Sequence, residues 1–160
     1  MRFSPIRYSL MPPPKSHPRP YYLPVLIGWR ERVRLPAIGI GPIVAKIDTG
    51  ARSAALHAED IRVAGTRVSF RVSVNGRDHH CTMRIVGRRR VKNSSGYSEA
   101  RLVVETDVEI GDHTFTTEIT LTDRTDMGVP MLLGRASIRS RFAVHPGRSF
   151  IISRKKKKFK

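Results

Sequence analysis

The sequence predicts an all-β domain, mainly antiparallel, and three observations carry that prediction. Charged and apolar residues alternate with a period of two, most cleanly in Arg30-Glu31-Arg32-Val33-Arg34-Leu35, the pattern of a strand with one face on a core. The pair Asn75-Gly76 separates two further alternating segments, and it tolerates the positive φ angles of a tight type I′ hairpin turn. Glycine and proline punctuate the intervals, as in Pro36, Gly39, Gly41 and Pro42.

Taken in order, residues 1–22 form a basic leader interrupted by Pro12, Pro13, Pro14, Pro18 and Pro20. It has no periodicity and is excluded from the fold as an extended, disordered segment. A domain is expected over residues 23–153, with a basic tail over 154–160. Strands are expected at 25–29, 30–35 and 43–47, and short apolar segments at 53–57 and 61–63. Residues 68–74 and 79–86 flank Asn75-Gly76 as a hairpin, and a second hairpin rises over 82–91, turns at 93–97 and descends over 99–110. Gly111-Asp112 then turns the chain into a strand over 114–122. Near the end, 131–135 reads as an apolar strand, 136–141 as a short helical turn, and 142–144 and 149–152 as closing strands.

The chain has 160 residues, enough for one domain with a real core. Its formal charge of +17 is uneven. Arg2, Arg7, Lys15 and Arg19 lie in the leader and six further basic residues in the tail, and all 13 acids fall between Glu31 and Asp126, so the body carries only +7. Tails of this kind either bind an anionic partner, such as nucleic acid or the ribosome, or are solvated extensions. A single cysteine, Cys81, excludes an intramolecular disulfide and fits a reducing compartment. No segment approaches the roughly 20 apolar residues of a membrane span, so the expected location is the cytoplasm, without membrane association.

One stretch stands apart chemically. The apolar residues Ile43-Val44-Ala45-Lys46-Ile47 deliver a carboxylate into the turn Asp48-Thr49-Gly50-Ala51, with Arg52-Ser53 just beyond. Asp-Thr-Gly also describes an ordinary turn, because Asp and Gly both favour turns. A second apolar strand, Met131-Leu132-Leu133, likewise ends in Gly134-Arg135.

These two stretches together resemble the retropepsin-like aspartic proteases, in which a D-T-G-A loop and a hydrophobic-hydrophobic-Gly strand frame the active site. Five blocks in order are similar to the bacterial family labelled "ATP-dependent zinc protease", which is retropepsin-like: Ile27-Gly28-Trp29-Arg30-Glu31, Lys46-Ile47-Asp48-Thr49-Gly50-Ala51-Arg52-Ser53, Ala55-Leu56-His57-Ala58, Glu118-Ile119-Thr120-Leu121-Thr122-Asp123-Arg124, and Met131-Leu132-Leu133-Gly134-Arg135. Some members are associated with an ATP-grasp ligase that adds glutamate residues to a small-subunit ribosomal protein. His145-Pro146 stands where the family has Asp-Pro, and Asn93-Ser94-Ser95-Gly96 where it has a Ser-Asn-Gly sequence.

The resemblance implies a closed retropepsin-like β-barrel with one short C-terminal helix, and an aspartic peptidase. Such an enzyme uses two carboxylates that share one proton. With one D-T-G per chain, the second Asp48 must come from another copy, which implies a C2 homodimer. Asp48, Thr49 and Gly50 are then the catalytic loop, and Ala51, Arg52, Ser53, Arg90 and Arg135 the substrate-binding candidates. Arg52 and Arg135 have two readings, recognition of acidic substrate side chains or an ion pair with Glu59 or Asp60 that fixes the loop. The hairpin over 82–110 is the candidate flap, with Arg88, Arg89, Arg90 and Lys92 on it. The expected partner is an acidic peptide or protein, including a glutamate-extended ribosomal protein.

No cofactor or metal is expected. There is no H-E-x-x-H and no Gly-rich phosphate loop, and in His79-His80-Cys81 successive side chains point to opposite faces of a strand. A site shared by His79, Cys81 and His57 is the alternative that a zinc hydrolase would need, and a buried structural thiol is the simpler account of Cys81. A rival of a different class is a catalytically weak retropepsin-like module whose basic tails bind ribosome or nucleic acid.

Overall fold

The computed structural model describes residues 23–92, 96–123 and 128–153, so the leader, the basic tail and residues 93–95 of the hairpin tip lie outside the described residues. Among the described residues the elements are β1 (Val25–Gly28), β2 (Arg30–Leu35), a 3-10 turn (Pro36–Ile38), β3 (Ile40–Asp48), β4 (Ala54–His57), β5 (Glu59–Ala64), β6 (Arg67–Val74), β7 (Arg77–Arg84), β8 (Gly87–Lys92), β9 (Ser98–Ile110), β10 (His113–Thr122), β11 (Met131–Gly134), α1 (Arg135–Ile138) and β12 (Phe142–His145). The expected all-β fold is present, with a single helical turn near the C-terminus.

Six strands close into a barrel. Their order is β10-β4-β11-β3-β2-β9, and β9 pairs back onto β10. Most neighbours are antiparallel, but β3 with β11, β4 with β10 and β1 with β12 are parallel pairs. Parallel neighbours need long crossovers, which is why local hairpin signals could not reveal them. β11 lies between β3 and β4, pairing Leu133 with Ile47 on one side and Met131 with Leu56 on the other.

The interior follows the alternation in the sequence. Ile43, Ala45 and Ile47 of β3 are buried with Val33 and Leu35 of β2 and Leu133 of β11. A separate sheet of β5, β6 and β7 packs on the barrel through β6, whose Val68, Phe70, Val72 and Val74 belong to the same core cluster. Each of the buried Val, Leu, Ile and Phe side chains contributes about 1.5–3 kcal/mol. The Asn75-Gly76 turn has φ angles of 50° and 76°, as its sequence requires.

The expected rising strand over 82–91 divides at Ile85 and Val86. β7 stays with β6, whereas β8 pairs with the first half of β9 in the register Gly87 to Val103 through Lys92 to Ser98. Residues 98–102 of β9 run past the end of β10, whose pairing stops at Val103, so β8 and the start of β9 form an arm projecting from the barrel. The alternation continues across the junction without a breaker before Gly87, which hides the division from the sequence.

Residues 149–152 do not form the expected closing strand. Glu31, fully buried on β2, instead accepts hydrogen bonds from Gly28 N (2.7 Å), Ile151 N (2.8 Å), Ser153 N (3.1 Å) and Ser153 Oγ. Phe150 N also donates to Arg30 O, and the Arg32 guanidinium stacks 3.9 Å from the Phe150 ring. A carboxylate thereby replaces the ladder partner that this segment lacks.

Candidate active site

Asp48 is the last residue of β3, and the chain leaves the sheet there. Its Oδ1 accepts the backbone N–H groups of Gly50 and Ala51, both at 3.0 Å. This Asx-type turn uses the residue's own backbone to aim the carboxylate, and Oδ2 has no donor among the described residues. A Cβ on Gly50 would stand 3.3 Å from Oδ1, so glycine leaves the turn its room. Thr49 and Gly50 are exposed at the surface of the described chain.

The other wall of the loop comes from β11 and α1. Arg135 N donates to Ala51 O and Ala136 N to Arg52 O, each at 2.9 Å. The Arg135 guanidinium then reaches over the turn, Nη1 donating to Thr49 O at 2.9 Å and Gly50 O at 2.8 Å. Of the two readings of Arg135, the geometry is that of a loop clamp, although its partners are backbone carbonyls and not the carboxylates of Glu59 or Asp60. Those two acids pair with Arg71 of β6, at 2.8 and 2.9 Å. Arg52 is exposed and makes no ion pair among the described residues.

A cleft of about 550 Å³ opens beside Asp48. It is lined by Ala51, Ser53, Ala55, Thr120 and Leu132 and by the basic residues Arg52, Arg89, Arg90, Lys92 and Arg101. Asp48 is the one acidic residue among the described residues that line it. The β8–β9 arm, part of the hairpin expected as a flap, supplies Arg89, Arg90, Val91, Lys92 and Arg101 to this lining. Arg90 faces solvent on the arm. Its neighbour Arg89 makes the link to the site, donating from Nη1 to Ser53 Oγ at 2.9 Å and from Nη2 to Glu118 Oε2 at 2.5 Å.

Sequence reasoning gave Arg89 no individual role and missed Arg101. The register pairs Arg89 directly with Arg101, and counting outward from a turn over residues 93–97 would have found it.

Among the described residues no three His, Cys, Asp or Glu side chains are grouped to hold a metal ion. Cys81 faces the core, 6% exposed, and burial pushes its thiol above its ordinary value. His145 Nδ1 accepts Gly147 N at 3.1 Å, a bond that an aspartate at this position would also accept.

Comparison with known proteins follows the same lines. The model of the RimB-like family, described as retropepsin-like aspartic endopeptidase RimB, matches residues 26–155. Probable alpha-L-glutamate ligases of Shewanella pealeana and Desulfotalea psychrophila are 36% and 35% identical over 138 and 129 residues. The alignments cover 81% and 76% of this chain but only 30% and 28% of those proteins, so the chain spans less than a third of the curated relatives it matches. The solved structure of a Legionella pneumophila protein of unknown function superposes with a TM-score of 0.69 at 31% identity, over 80% of this chain and 98% of that one.

Proposed function

Because the chain belongs to the RimB-like family of retropepsin-like aspartic endopeptidases, we propose that it hydrolyses peptide bonds in acidic substrates through a dyad of Asp48 and the same residue of a second copy. The observation that carries this reading is the Asp48 carboxylate itself, fixed through Oδ1 by two backbone donors and lying at a basic cleft with Oδ2 open. One carboxylate is insufficient for the reaction. The ionised member of the pair takes a proton from water as its oxygen attacks the scissile carbonyl, and the protonated member donates a hydrogen bond to that carbonyl oxygen. Collapse of the tetrahedral intermediate breaks the C–N bond, the amine leaves with a proton returned by the dyad, and a carboxylic acid remains.

Exposure of Thr49 and Gly50 suits a loop that meets its symmetry mate, since a C2 axis beside Asp48 brings two such loops together. The Arg and Lys side chains that line the cleft suit an acidic peptide. A glutamate-extended tail has that chemistry, and relatives named alpha-L-glutamate ligase carry a similar region within a longer chain. A ribosomal protein with such a tail is the proposed substrate, and the cytoplasm the proposed setting.

The test is cleavage of a peptide bearing several consecutive glutamates, followed by mass spectrometry. Asp48→Asn should lower kcat by at least about a hundredfold, with the fold intact because an amide oxygen still accepts from Gly50 and Ala51. Wild-type rates in that variant refute the aspartic mechanism, and binding without cleavage by the wild-type protein marks a binding module.

A further inference from the structure

We infer that Arg101, together with Arg89 opposite it, forms a carboxylate-binding subsite on the β8–β9 arm and is the residue that discriminates an acidic side chain from its neutral amide. The inference rests on the peptidase reading for the identity of the ligand as a peptide, but its geometry is independent of Asp48.

Arg101 is a charged side chain only 6% exposed. A buried charge is costly unless it is fully paired. Its ion pair is with Glu99, through Nε at 2.9 Å, and the Glu99 side chain is 46% exposed. The residue directly across the ladder from Arg101 is another arginine, Arg89. Like charges directly opposite on an antiparallel pair destabilise it. Two arginines thus occupy one cross-strand position of the arm, where a structural purpose would be better served by an apolar pair.

Both arginines line the cleft that contains Asp48. Arg89 is anchored to Ser53, on the active loop, and to Glu118 on β10, so the paired cations sit at a fixed place relative to the carboxylate. A guanidinium offers a planar fork that matches a carboxylate with two hydrogen bonds, and an amide cannot accept both. Arg52, Arg90 and Lys92 are exposed by contrast. Solvated cations of this kind raise the local concentration of an acidic chain but discriminate weakly. Glu99 is the internal competitor: its carboxylate holds Arg101 and yields to a substrate carboxylate.

The experiment measures binding by fluorescence anisotropy in the Asp48→Asn protein, which does not consume its ligand. The probes are a labelled peptide of four glutamates and its four-glutamine counterpart. Arg101→Gln should weaken the glutamate peptide by about tenfold or more and leave the glutamine peptide unchanged. Glu99→Gln, whose amide oxygen can still accept from Arg101 Nε, should tighten the glutamate peptide several-fold by weakening the competing pair. A folded Arg101→Gln protein that keeps the full preference for glutamate overturns the inference. Where that variant fails to fold, an unchanged affinity in Glu99→Gln overturns it. A wild-type protein that binds with this Arg101-dependent preference but cleaves nothing would refute the peptidase reading and leave the subsite standing, whereas cleavage indifferent to Arg101 would do the reverse.

Discussion

Gly134 lies against Ser53 so closely that a Cβ on it would stand 2.5 Å from the Ser53 carbonyl oxygen and 2.8 Å from the Arg52 carbonyl carbon. Both neighbours are backbone, and both belong to the chain that returns from Asp48 into β4. The glycine at the end of β11 is therefore required by contact, since its φ of −81° is open to any residue. It is also the residue whose register partner is Asp48. Gly134→Ala should destabilise the protein by about 1–3 kcal/mol, which for a domain of this size lowers Tm by about 2–4 °C per kcal/mol. Peptidase activity should fall further than stability does, because the displaced backbone carries the active loop. Calorimetry and steady-state kinetics on the same preparation check both parts.

Arg135 clamps the loop that carries Asp48. Its two hydrogen bonds end on Thr49 and Gly50 carbonyls. Arg135→Ala should therefore lower kcat about ten- to a hundredfold through misplacement of the carboxylate, by the same factor on glutamate-rich and neutral peptides. A loss confined to the glutamate-rich peptide would assign Arg135 to substrate recognition instead.

The β5–β6–β7 sheet carries its own acid sensitivity. The Arg71 guanidinium hydrogen-bonded to Asp60 holds that carboxyl below its ordinary value of 3.8, and Asp78 is lowered first by the Ser73 hydroxyl and then by Arg71. A carboxyl depressed in the folded state contributes stability that is present above its unfolded value and lost as pH falls through the folded one. The contribution of this cluster should therefore be complete at neutral pH and disappear below pH 3.8. Arg71→Gln should lower the urea midpoint at pH 7, and its difference from wild type should shrink as pH drops below that value. A difference that grows on acidification would contradict the assignment.

Strand positions were legible because a half-buried strand writes its period into the residues, as in Arg30–Leu35 and Arg67–Val74. The Asp48 turn was legible because aspartate followed by Gly50 is local chemistry. Partners across the fold were not. Glu59 and Asp60 stand close to Arg52 in sequence, yet strand β5 turns them to Arg71, which reaches them only through the register of β5 with β6. Residues 149–152 read as a strand because Phe150, Ile151 and Ile152 are apolar. Their actual partner is a buried carboxylate 120 residues away along the chain, a pairing that no local pattern encodes. Arg101 was passed over for a related reason, since nothing in a run of basic and apolar residues says which arginine the fold will bury.

The shared dyad is tested most directly by mixing. Wild-type protein and Asp48→Asn protein are unfolded together, refolded so that subunits exchange, and assayed on the glutamate-rich peptide at constant total concentration. A site built from two copies of Asp48 is disabled by one substitution, so activity should follow the square of the wild-type fraction, and an equimolar mixture should retain about a quarter of it. Activity that falls in direct proportion, with about half remaining in the equimolar mixture, would show that each chain works alone and would contradict the dyad.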